Sequence, residues 1–214
     1  MSRKNVQKAV FLLIAFAGWT AAVLCLDRQA IGPLGSVVGL ATCNRAVQTL
    51  VGVNPVLYAV TDWLGLVPIA VMFGFALLGL WQWIRRRSLR QVDRSLLVLG
   101  GVYLALLAAY LLFESFVINC RPVLIEGVLE ASYPSSTTLL ALCVLPTAKM
   151  QLRDRIRHPA VQRVVSVACT VLLAVLLVGR FLSGVHWMSD LVGGGLLGGA
   201  LVCFYRAAVD GKTS

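Results

Sequence analysis

Charged residues are scarce in this sequence of 214 residues. Asp, Glu, Lys and Arg together make up 13% of it, against about 25% in soluble globular proteins. At the same time 59% of the residues are apolar, which excludes an ordinary water-soluble fold. With a mean hydropathy of +0.86 and apolar runs close to the roughly 20 residues that cross a bilayer, the composition predicts an integral membrane protein.

Other features are absent as well. No Ser/Pro-rich or low-complexity linker divides the chain, so we expect a single transmembrane domain over residues 1–214. The six cysteines form no C-x-x-C pair, which argues against a metal site, and we expect no other cofactor. Their positions leave open whether Cys43 and Cys120, which lie outside the apolar runs, form a disulfide.

Six apolar runs predict an all-α fold, an integral membrane six-helix bundle. A short interfacial helix is expected between spans 1 and 2, over residues 44–53, because Val47, Leu50 and Val51 recur at helical spacing. The predicted spans are 9–26, 63–84, 96–113, 137–148, 164–178 and 191–205.

The distribution of charge predicts the orientation of this bundle. Six spans leave both termini on one side, and basic residues collect on cytoplasmic loops. In this arrangement 15 of the 19 Lys and Arg residues are cytoplasmic. The net charge of +10 is therefore a topology signal, and we expect no nucleic-acid partner. The cytoplasmic set is Arg3, Lys4, Lys8, Arg85, Arg86, Arg87, Arg90, Arg94, Lys149, Arg153, Arg155, Arg157, Arg163, Arg206 and Lys212.

Residues 179–190 carry the strongest chemical signal and read Gly-Arg-Phe-Leu-Ser-Gly-Val-His-Trp-Met-Ser-Asp. If a helix begins near His186, the i, i+4 spacing places His186 and Asp190 on one face within hydrogen-bonding reach. A carboxylate on one ring nitrogen fixes the tautomer and makes the other nitrogen a better nucleophile. Arg180 has planar donors suited to phosphate oxygens. The segment therefore predicts a catalytic His186, an orienting Asp190 and a phosphate-binding Arg180.

Two further segments on the outer side suit phosphate. Ser135 and Ser136 follow Pro134 directly before the fourth span, so their hydroxyls and free amides are expected at a helix start, which attracts anions. Arg121 lies in a Cys-Arg-Pro segment ahead of the same span. The topology predicts that these groups converge with Arg180 on one phosphate pocket.

These three segments resemble the motifs of the type 2 phosphatidic acid phosphatase superfamily, the lipid phosphate phosphatases, which read K-x6-R-P, P-S-G-H and S-R-x5-H-x3-D. The resemblance covers residues 114–190 and the six-span layout, and the chain is identified as a divergent, bacterial-type member. It implies a metal-independent phosphohydrolase in which His186 forms a phosphohistidine and Asp190 orients it. The phosphate-binding residues that it implies are Arg121, Arg180, Ser135 and Ser136.

Three positions depart from the family pattern. Glu114 replaces a phosphate-binding lysine with a group that repels dianions; it either pairs with Arg121 or serves as a protonated acid. Thr137 replaces a histidine that protonates the leaving alkoxide in that family, which a threonine cannot do at neutral pH. His158, in a cytoplasmic loop, cannot substitute across the membrane. Gly179 replaces a serine.

The missing acid favours a substrate with a good leaving group. General acid catalysis contributes about 10² to 10⁴-fold, and its loss matters most for an alkoxide, whose conjugate acid has a pKa of about 16. A phosphate monoester is a far better leaving group, with a second pKa of about 6. We therefore expect a polyprenyl or similar lipid diphosphate to be a better substrate than phosphatidate.

The predicted function is a lipid phosphate or diphosphate phosphatase of the bacterial plasma membrane, with cytoplasmic termini and an extracytoplasmic active site. Its expected partners are the lipid substrate and membrane lipids, without an obligate protein partner. Two alternatives stay open: a lipid phosphotransferase, and a catalytically impaired protein that only binds lipid phosphate, which Glu114 and Thr137 favour.

Two neighbouring features have other interpretations. The glycine-rich stretch 193–199 has small residues at four-residue spacing, which predicts close helix packing in lipid rather than a nucleotide-binding loop. Asp62, beside Trp63, fits either the border of the outer pocket or a structural cap.

Overall fold

Helices account for most of the chain, in agreement with the predicted all-α class. The computed structural model describes residues 2–210, in which the only β-pairing is three isolated bridges. Two short 3-10 helices, Pro33–Gly35 and Leu89–Gln91, lie between longer elements. The α-helices in this part of the chain are α1 (Arg3–Cys25), α2 (Ala41–Val51), α3 (Pro55–Arg86), α4 (Arg94–Ser115), α5 (Ser136–Arg153), α6 (Pro159–Ser183) and α7 (Met188–Val209).

Each of the six predicted spans corresponds to one helix, and the predicted interfacial segment corresponds to α2. Five helices are long and apolar enough to cross a bilayer, namely α1, α3, α4, α6 and α7. The fourth predicted span, now α5, is longer at both ends than the apolar run 137–148 that indicated it. The apolar run is shorter than the helix because α5 is enclosed by other helices.

Helix α5 lies at the centre of the bundle. It contacts α3, α4, α6 and α7, and half of its 18 residues are buried. Its polar side chains find protein partners: the Thr147 hydroxyl is 3.1 Å from the Tyr103 hydroxyl, and Gln151 Nε2 donates to the Tyr205 hydroxyl at 2.6 Å. Because helices rather than lipid surround α5, it does not need the uniform hydropathy of a lipid-facing span.

Basic loops gather at one end of the bundle, which we call the basic end. It contains the start of α1, the α3–α4 and α5–α6 connections, and the end of α7. Asp93 joins two of these, with its carboxylate 3.2 Å from both Arg86 Nη1 and Arg155 Nη2. The backbone N–H of Ser2 donates to the Ala207 carbonyl and brings the start of α1 to the same end. Lys212, which the charge pattern assigned to this side, lies outside the described residues.

The cysteines form no disulfide. All six thiols are free, including those of Cys43 on α2 and Cys120 in the connection between α4 and α5. The pairing of Cys43 with Cys120, which the sequence left open, is therefore absent from this structure.

Glycines in α7 allow this helix to pack closely on α5. A Cβ atom on Gly198 would lie 2.9 Å from Leu142 Cβ, and one on Gly194 would lie 2.8 Å from the backbone oxygen of Ser135. Distances this short leave no room for a side chain. The glycine-rich stretch therefore serves helix packing, as its spacing indicates.

Gly194→Ala should destabilise the protein, whereas Gly195→Ala should leave stability unchanged or slightly increased. The added methyl at 194 meets the backbone at the start of α5, and overpacking of this kind costs about 1–3 kcal/mol. At 195 the nearest atom, Leu142 Cδ1, is 3.8 Å away, and alanine favours the helix by up to about 1 kcal/mol. Thermal unfolding in detergent measures both variants. Equal midpoints for the two variants would contradict the close packing described for Gly194.

Candidate active site

His186 lies in the short connection between α6 and α7. Helix α6 ends at Ser183, and Gly184 follows in the left-handed region with φ of 65°. Only glycine fits there, because a Cβ would lie 1.8 Å from the Gly52 backbone oxygen. The turn leaves His186 buried, with 4% of its surface exposed. Helix α7 begins at Met188, near His186 as the spacing argument assumed, but His186 itself lies two residues before the helix.

Asp190 approaches His186 from the first turn of α7. Its Oδ2 atom accepts a hydrogen bond from the Trp187 backbone N–H at 3.0 Å and lies 3.9 Å from His186 Nδ1. This second distance exceeds that of a hydrogen bond but is within ion-pair range. The expected pair is therefore present, although a helix cap rather than i, i+4 spacing on one helix face brings its members together.

The protonation state of His186 suits a nucleophile. Arg121 Nη1 is 3.4 Å from His186 Nε2, and since a guanidinium group can only donate, Nε2 is the acceptor and the ring proton is on Nδ1, facing Asp190. Burial lowers the pKa of His186 to about 4, with the positive charge of Arg121 acting in the same direction and Asp190 opposing both. The imidazole is therefore neutral at pH 7, with the lone pair on Nε2.

Arg121 comes from the irregular connection between α4 and α5. Its Nε atom is 2.9 Å from Glu130 Oε2, an ion-pair distance without the alignment of a hydrogen bond. The backbone fixes this connection as well: Arg121 N–H donates to the Glu130 carbonyl, and Trp187 Nε1 donates to the Cys120 carbonyl at 2.7 Å. The carboxylate paired with Arg121 is thus Glu130, so the suggestion that Glu114 pairs with Arg121 is wrong.

Arg180 lies in the last turn of α6 and is 2% exposed. Its Nη2 atom donates to Asp62 Oδ1 at 2.7 Å and to the Thr137 hydroxyl at 2.8 Å. Its Nε and Nη1 atoms are buried without a hydrogen-bond partner among the described residues. The Tyr58 ring lies beneath both guanidinium groups, 5.0 Å from that of Arg180 and 6.0 Å from that of Arg121. Both cations therefore converge on one place.

The start of α5 also reaches this place, but not as the sequence suggested. Ser135 is the N-cap of α5 and is fully buried, and its backbone N–H donates to the Asp190 carbonyl at 2.9 Å. The expectation of an outward-facing amide at Ser135 is therefore wrong. Its hydroxyl has no partner among the described residues, and the amides of the first turn, from Ser136 to Thr138, have none within the helix. The amide donors thus begin one residue later than expected.

A small pocket of about 20 Å³ adjoins His186 on the side of α4. Such a volume holds about one water molecule. Glu114, Ser136, Tyr133 and His186 are among its lining residues. Glu114 is exposed in the last turn of α4 and makes no hydrogen bond or ion pair within the described chain. It lies beside the nucleophile without a protein partner.

Several contributors to the site carry no sequence signal of their own. Asp62, which fitted either a cap or the pocket border, is the ion-pair partner of Arg180. Asn119 Nδ2 donates to Asp190 Oδ1 at 3.1 Å, and Glu130 pairs with Arg121. Asp62 lies in α3 and the other two lie in the α4–α5 connection, and no spacing in the chain relates them to the motif residues.

The arrangement suits a tetrahedral oxyanion bearing several acceptor oxygens. Two guanidinium groups, a row of helix amides and buried hydroxyls surround a neutral imidazole, and together they offer charge-assisted donors next to a nucleophile. Within residues 2–210 no group of three or more His, Cys, Asp or Glu side chains lies close enough to hold a metal ion. A nucleophilic nitrogen thus lies beside groups that could stabilise negative charge.

Comparison with known proteins agrees with this description. The family model of the PAP2 superfamily matches residues 114–214, and a comparison with curated proteins gives no match. Among solved structures, the fold is similar to that of the "first transmembrane PAP2 type phosphatidylglycerolphosphate phosphatase from Bacillus subtilis". The TM-score is 0.62 and the identity 20%, over 97% of this chain and 98% of that one. Residues 114–214 thus match the PAP2 superfamily, whose motifs the sequence resembles.

Proposed function

We propose that this protein is a membrane phosphatase that removes a phosphoryl group from a lipid phosphate or diphosphate through a phosphohistidine at His186. The observation that carries the proposal is the protonation state of the His186 imidazole and the surroundings of its two nitrogen atoms. A neutral imidazole has its Nε2 atom beside Arg121 and its Nδ1 atom facing the Asp190 carboxylate. The match of residues 114–214 to the PAP2 superfamily model supports the same assignment.

The reaction has two steps that each involve His186. In the first, the Nε2 lone pair attacks phosphorus, and the bond between phosphorus and the leaving oxygen breaks. The Nδ1 proton stays on the ring, where Asp190 stabilises the positive charge that develops. Arg121, Arg180 and the amides from Ser136 onward neutralise the phosphoryl oxygens. In the second step water attacks phosphorus, the bond to Nε2 breaks, and phosphate leaves.

The identity of residue 137 determines which leaving group this site tolerates. The Thr137 hydroxyl accepts a hydrogen bond from Arg180, so it positions the cation and does not protonate a departing alkoxide. Without that proton the expelled group must be stable as an anion, which a phosphate monoester is and an alkoxide is not. A lipid diphosphate, such as a polyprenyl diphosphate, is therefore the proposed substrate.

Glu114 is the proposed base of the second step. Its carboxylate lines the pocket that adjoins His186, and this pocket has the volume of about one water molecule. Removing a proton from that water would make it a nucleophile toward the phosphohistidine. Glu114 thus acts after the leaving group has departed, and that group still receives no proton.

The proposed setting is a bacterial plasma membrane crossed by six helices. Helix α5 would be the sixth span, because it lies within the other five as a central helix. Helix α2 would lie at the interface: Asn44 bonds to Ser189 in the first turn of α7 and Gln48 to Gly184 in the α6–α7 connection, while Leu50 is 86% exposed. The positive-inside rule assigns the basic end and both termini to the cytoplasm. The active site then faces the extracytoplasmic side.

His186→Ala should abolish phosphate release, and Asp190→Asn should reduce it by several orders of magnitude, since both remove parts of one nucleophile. The purified protein in detergent, incubated with radiolabelled farnesyl diphosphate and quenched in alkali, should carry an acid-labile phosphoryl group that His186→Ala lacks. His158→Ala is the control and should behave as wild type. Label transfer to an added lipid alcohol instead of water would indicate a phosphotransferase. Binding of the lipid without any phosphoenzyme would contradict the proposal.

A lipid diphosphate should be hydrolysed faster than phosphatidate by about 10² to 10⁴-fold in kcat/KM, the range that general acid catalysis supplies. Phosphate release from farnesyl diphosphate, farnesyl phosphate and phosphatidate in matched detergent micelles measures this ratio. Farnesyl phosphate serves as the control, because it has the same chain with an alkoxide leaving group. A preference for phosphatidate would rule out the leaving-group argument.

Glu114→Gln should slow hydrolysis of the phosphoenzyme by about 10²-fold or more, because the base that activates water is lost. With a diphosphate substrate the first step needs no acid, so phosphoenzyme should accumulate to a higher level than in wild type. Rapid-quench measurement of phosphohistidine separates the two steps. Glu126→Gln, an exposed glutamate of the α4–α5 connection, is the matched control. Wild-type turnover in Glu114→Gln would remove Glu114 from the mechanism.

A further inference from the structure

We infer that Asn119 is a positioning residue that fixes the Asp190 carboxylate in the orientation and ionised state required by His186. This inference rests on the proposed phosphatase function and adds to it a residue outside the family motifs. The juxtaposition that carries it is a fully buried carboxamide in direct contact with a fully buried carboxylate.

Every polar atom of the Asn119 side chain is engaged. Its Nδ2 atom donates to Asp190 Oδ1 at 3.1 Å and to the Ser189 hydroxyl at 3.3 Å. Its Oδ1 atom accepts from the Gly39 backbone N–H at 3.1 Å. Asn119 and Asp190 are 1% and 0% exposed, so water does not compete for these bonds. The side chain therefore has one rotamer that satisfies all its partners.

The backbone of Asn119 joins this contact to the next catalytic element. Its carbonyl accepts from both the backbone N–H and the hydroxyl of Ser132, at 2.9 and 3.1 Å. Ser132 lies three residues before Ser135, the N-cap of α5. Asn119 thus connects the α4–α5 connection, the start of α5 and the first turn of α7.

Asn44 fixes the other side of the same turn. Its Nδ2 atom donates to the Ser189 hydroxyl at 2.9 Å, and its Oδ1 atom accepts from the Ser189 backbone N–H at 3.1 Å. Asn44 touches Ser189 but makes no hydrogen bond to the Asp190 carboxylate. Within the described chain, the Asp190 carboxylate accepts hydrogen bonds from Asn119, the Ser189 hydroxyl and the Trp187 backbone N–H.

The two carboxylate oxygens of Asp190 consequently have different tasks. Oδ1 accepts from Asn119 and Ser189, while Oδ2 accepts from Trp187 and faces His186 Nδ1. Asn119 thus bonds to Oδ1 and leaves Oδ2 to the imidazole. A carboxylate free to rotate would not hold Oδ2 toward the ring, and a protonated one would lose the charge that stabilises the attacking ring.

Few other groups around Asp190 titrate near neutral pH. The Cys120 thiol and the Tyr133 phenol face it, and burial together with the charge of Asp190 raises the pKa of each, that of Tyr133 to about 12. Glu114 and the substrate phosphate also titrate during the reaction, but both are the same in wild type and in a variant at position 119. A difference between the two pH profiles measured with one substrate can therefore be assigned to the substitution at 119.

The first test compares Asn119→Ala with Gln151→Ala in the purified full-length protein. Gln151 is also a carboxamide with 1% exposure, but it lies at the basic end and bonds to Tyr205. Loss of an orienting partner should lower kcat for farnesyl diphosphate about 10- to 100-fold with little change in KM, as for partners that orient other catalytic histidines. Gln151→Ala should lower thermal stability to a similar degree and leave kcat unchanged. Equal effects of the two substitutions on kcat would overturn the inference.

The second test uses Asn119→Asp, which keeps the shape of the side chain. Two carboxyl groups in contact share one proton, so the higher pKa of the pair rises. The active form, with Asp190 ionised, then exists above that raised pKa and is lost as the pH falls through it. The acid limb of the kcat profile should therefore move to higher pH by about one unit or more. A uniform fall in kcat at all pH values would show a purely structural role and contradict the inference.

Both tests separate this inference from the proposed function. If the wild type releases no phosphate from any of the lipids, the phosphatase assignment fails first. If the wild type is active but Asn119→Ala turns over like wild type, only the positioning role of Asn119 fails.

Discussion

A buried guanidinium group with unused donors governs the organisation of this site. Arg180 is 2% exposed, and the only hydrogen-bond partners of its guanidinium group in the described chain, Asp62 and Thr137, both contact Nη2. A buried charge costs free energy unless its partners offset the loss of water. Asp62 supplies a counter-charge, yet Nε and Nη1 have no acceptor. A tetrahedral anion with several oxygens provides the acceptors that the protein does not.

Other buried polar atoms around Arg180 also lack hydrogen-bond partners. The Ser135 hydroxyl and the Nδ1 atom of His186 are also buried without hydrogen-bond partners among residues 2–210. Each comes from a different element, and each would cost free energy if it served only the apo fold. Their concentration at one end of the bundle distinguishes a binding site from scattered packing defects. The basic end, by contrast, pairs its buried polar groups with one another, as in the bond between Gln151 and Tyr205.

The sequence predicted most of the helices and the segments that converge at the candidate site. Apolar runs are a strong signal because a membrane-spanning helix needs them over a fixed length. The predicted proximity of His186 and Asp190 holds although His186 lies outside the helix, because the cap of α7 also brings these residues together. The boundary at Met188 was missed, since Trp187 as N-cap follows none of the usual preferences. Helix α5 was traced only in part because an enclosed helix can carry polar residues that its neighbours satisfy.

Partners supplied by distant segments could not be predicted. Glu130 rather than Glu114 pairs with Arg121, although both acids lie within nine residues of it, and only the path of the α4–α5 connection decides between them. Asp62 reaches Arg180 across 118 positions of sequence. Asn119 was not singled out because asparagine is common in loops, and its role depends on a carboxylate 71 residues away. Such contacts are properties of the fold and leave no periodicity in the chain.

The three departures from the family motifs can now be distinguished by what surrounds them. Gly179 is explained by packing, because a Cβ there would lie 2.4 Å from Thr61 Cγ2, so a serine has no room beside this threonine. Thr137 is explained by its hydrogen bond to Arg180, which gives the position a part in orienting the cation. Glu114 has no such explanation within the described chain: it makes no ion pair, supports no helix cap, and lies at the end of α4 where the helix dipole disfavours a negative charge. What it does contact is the pocket that adjoins His186. The proposed role of Glu114 as the base that activates water accounts for a carboxylate kept there against the helix dipole. That role also favours the proposed phosphatase over a protein that only binds lipid phosphate.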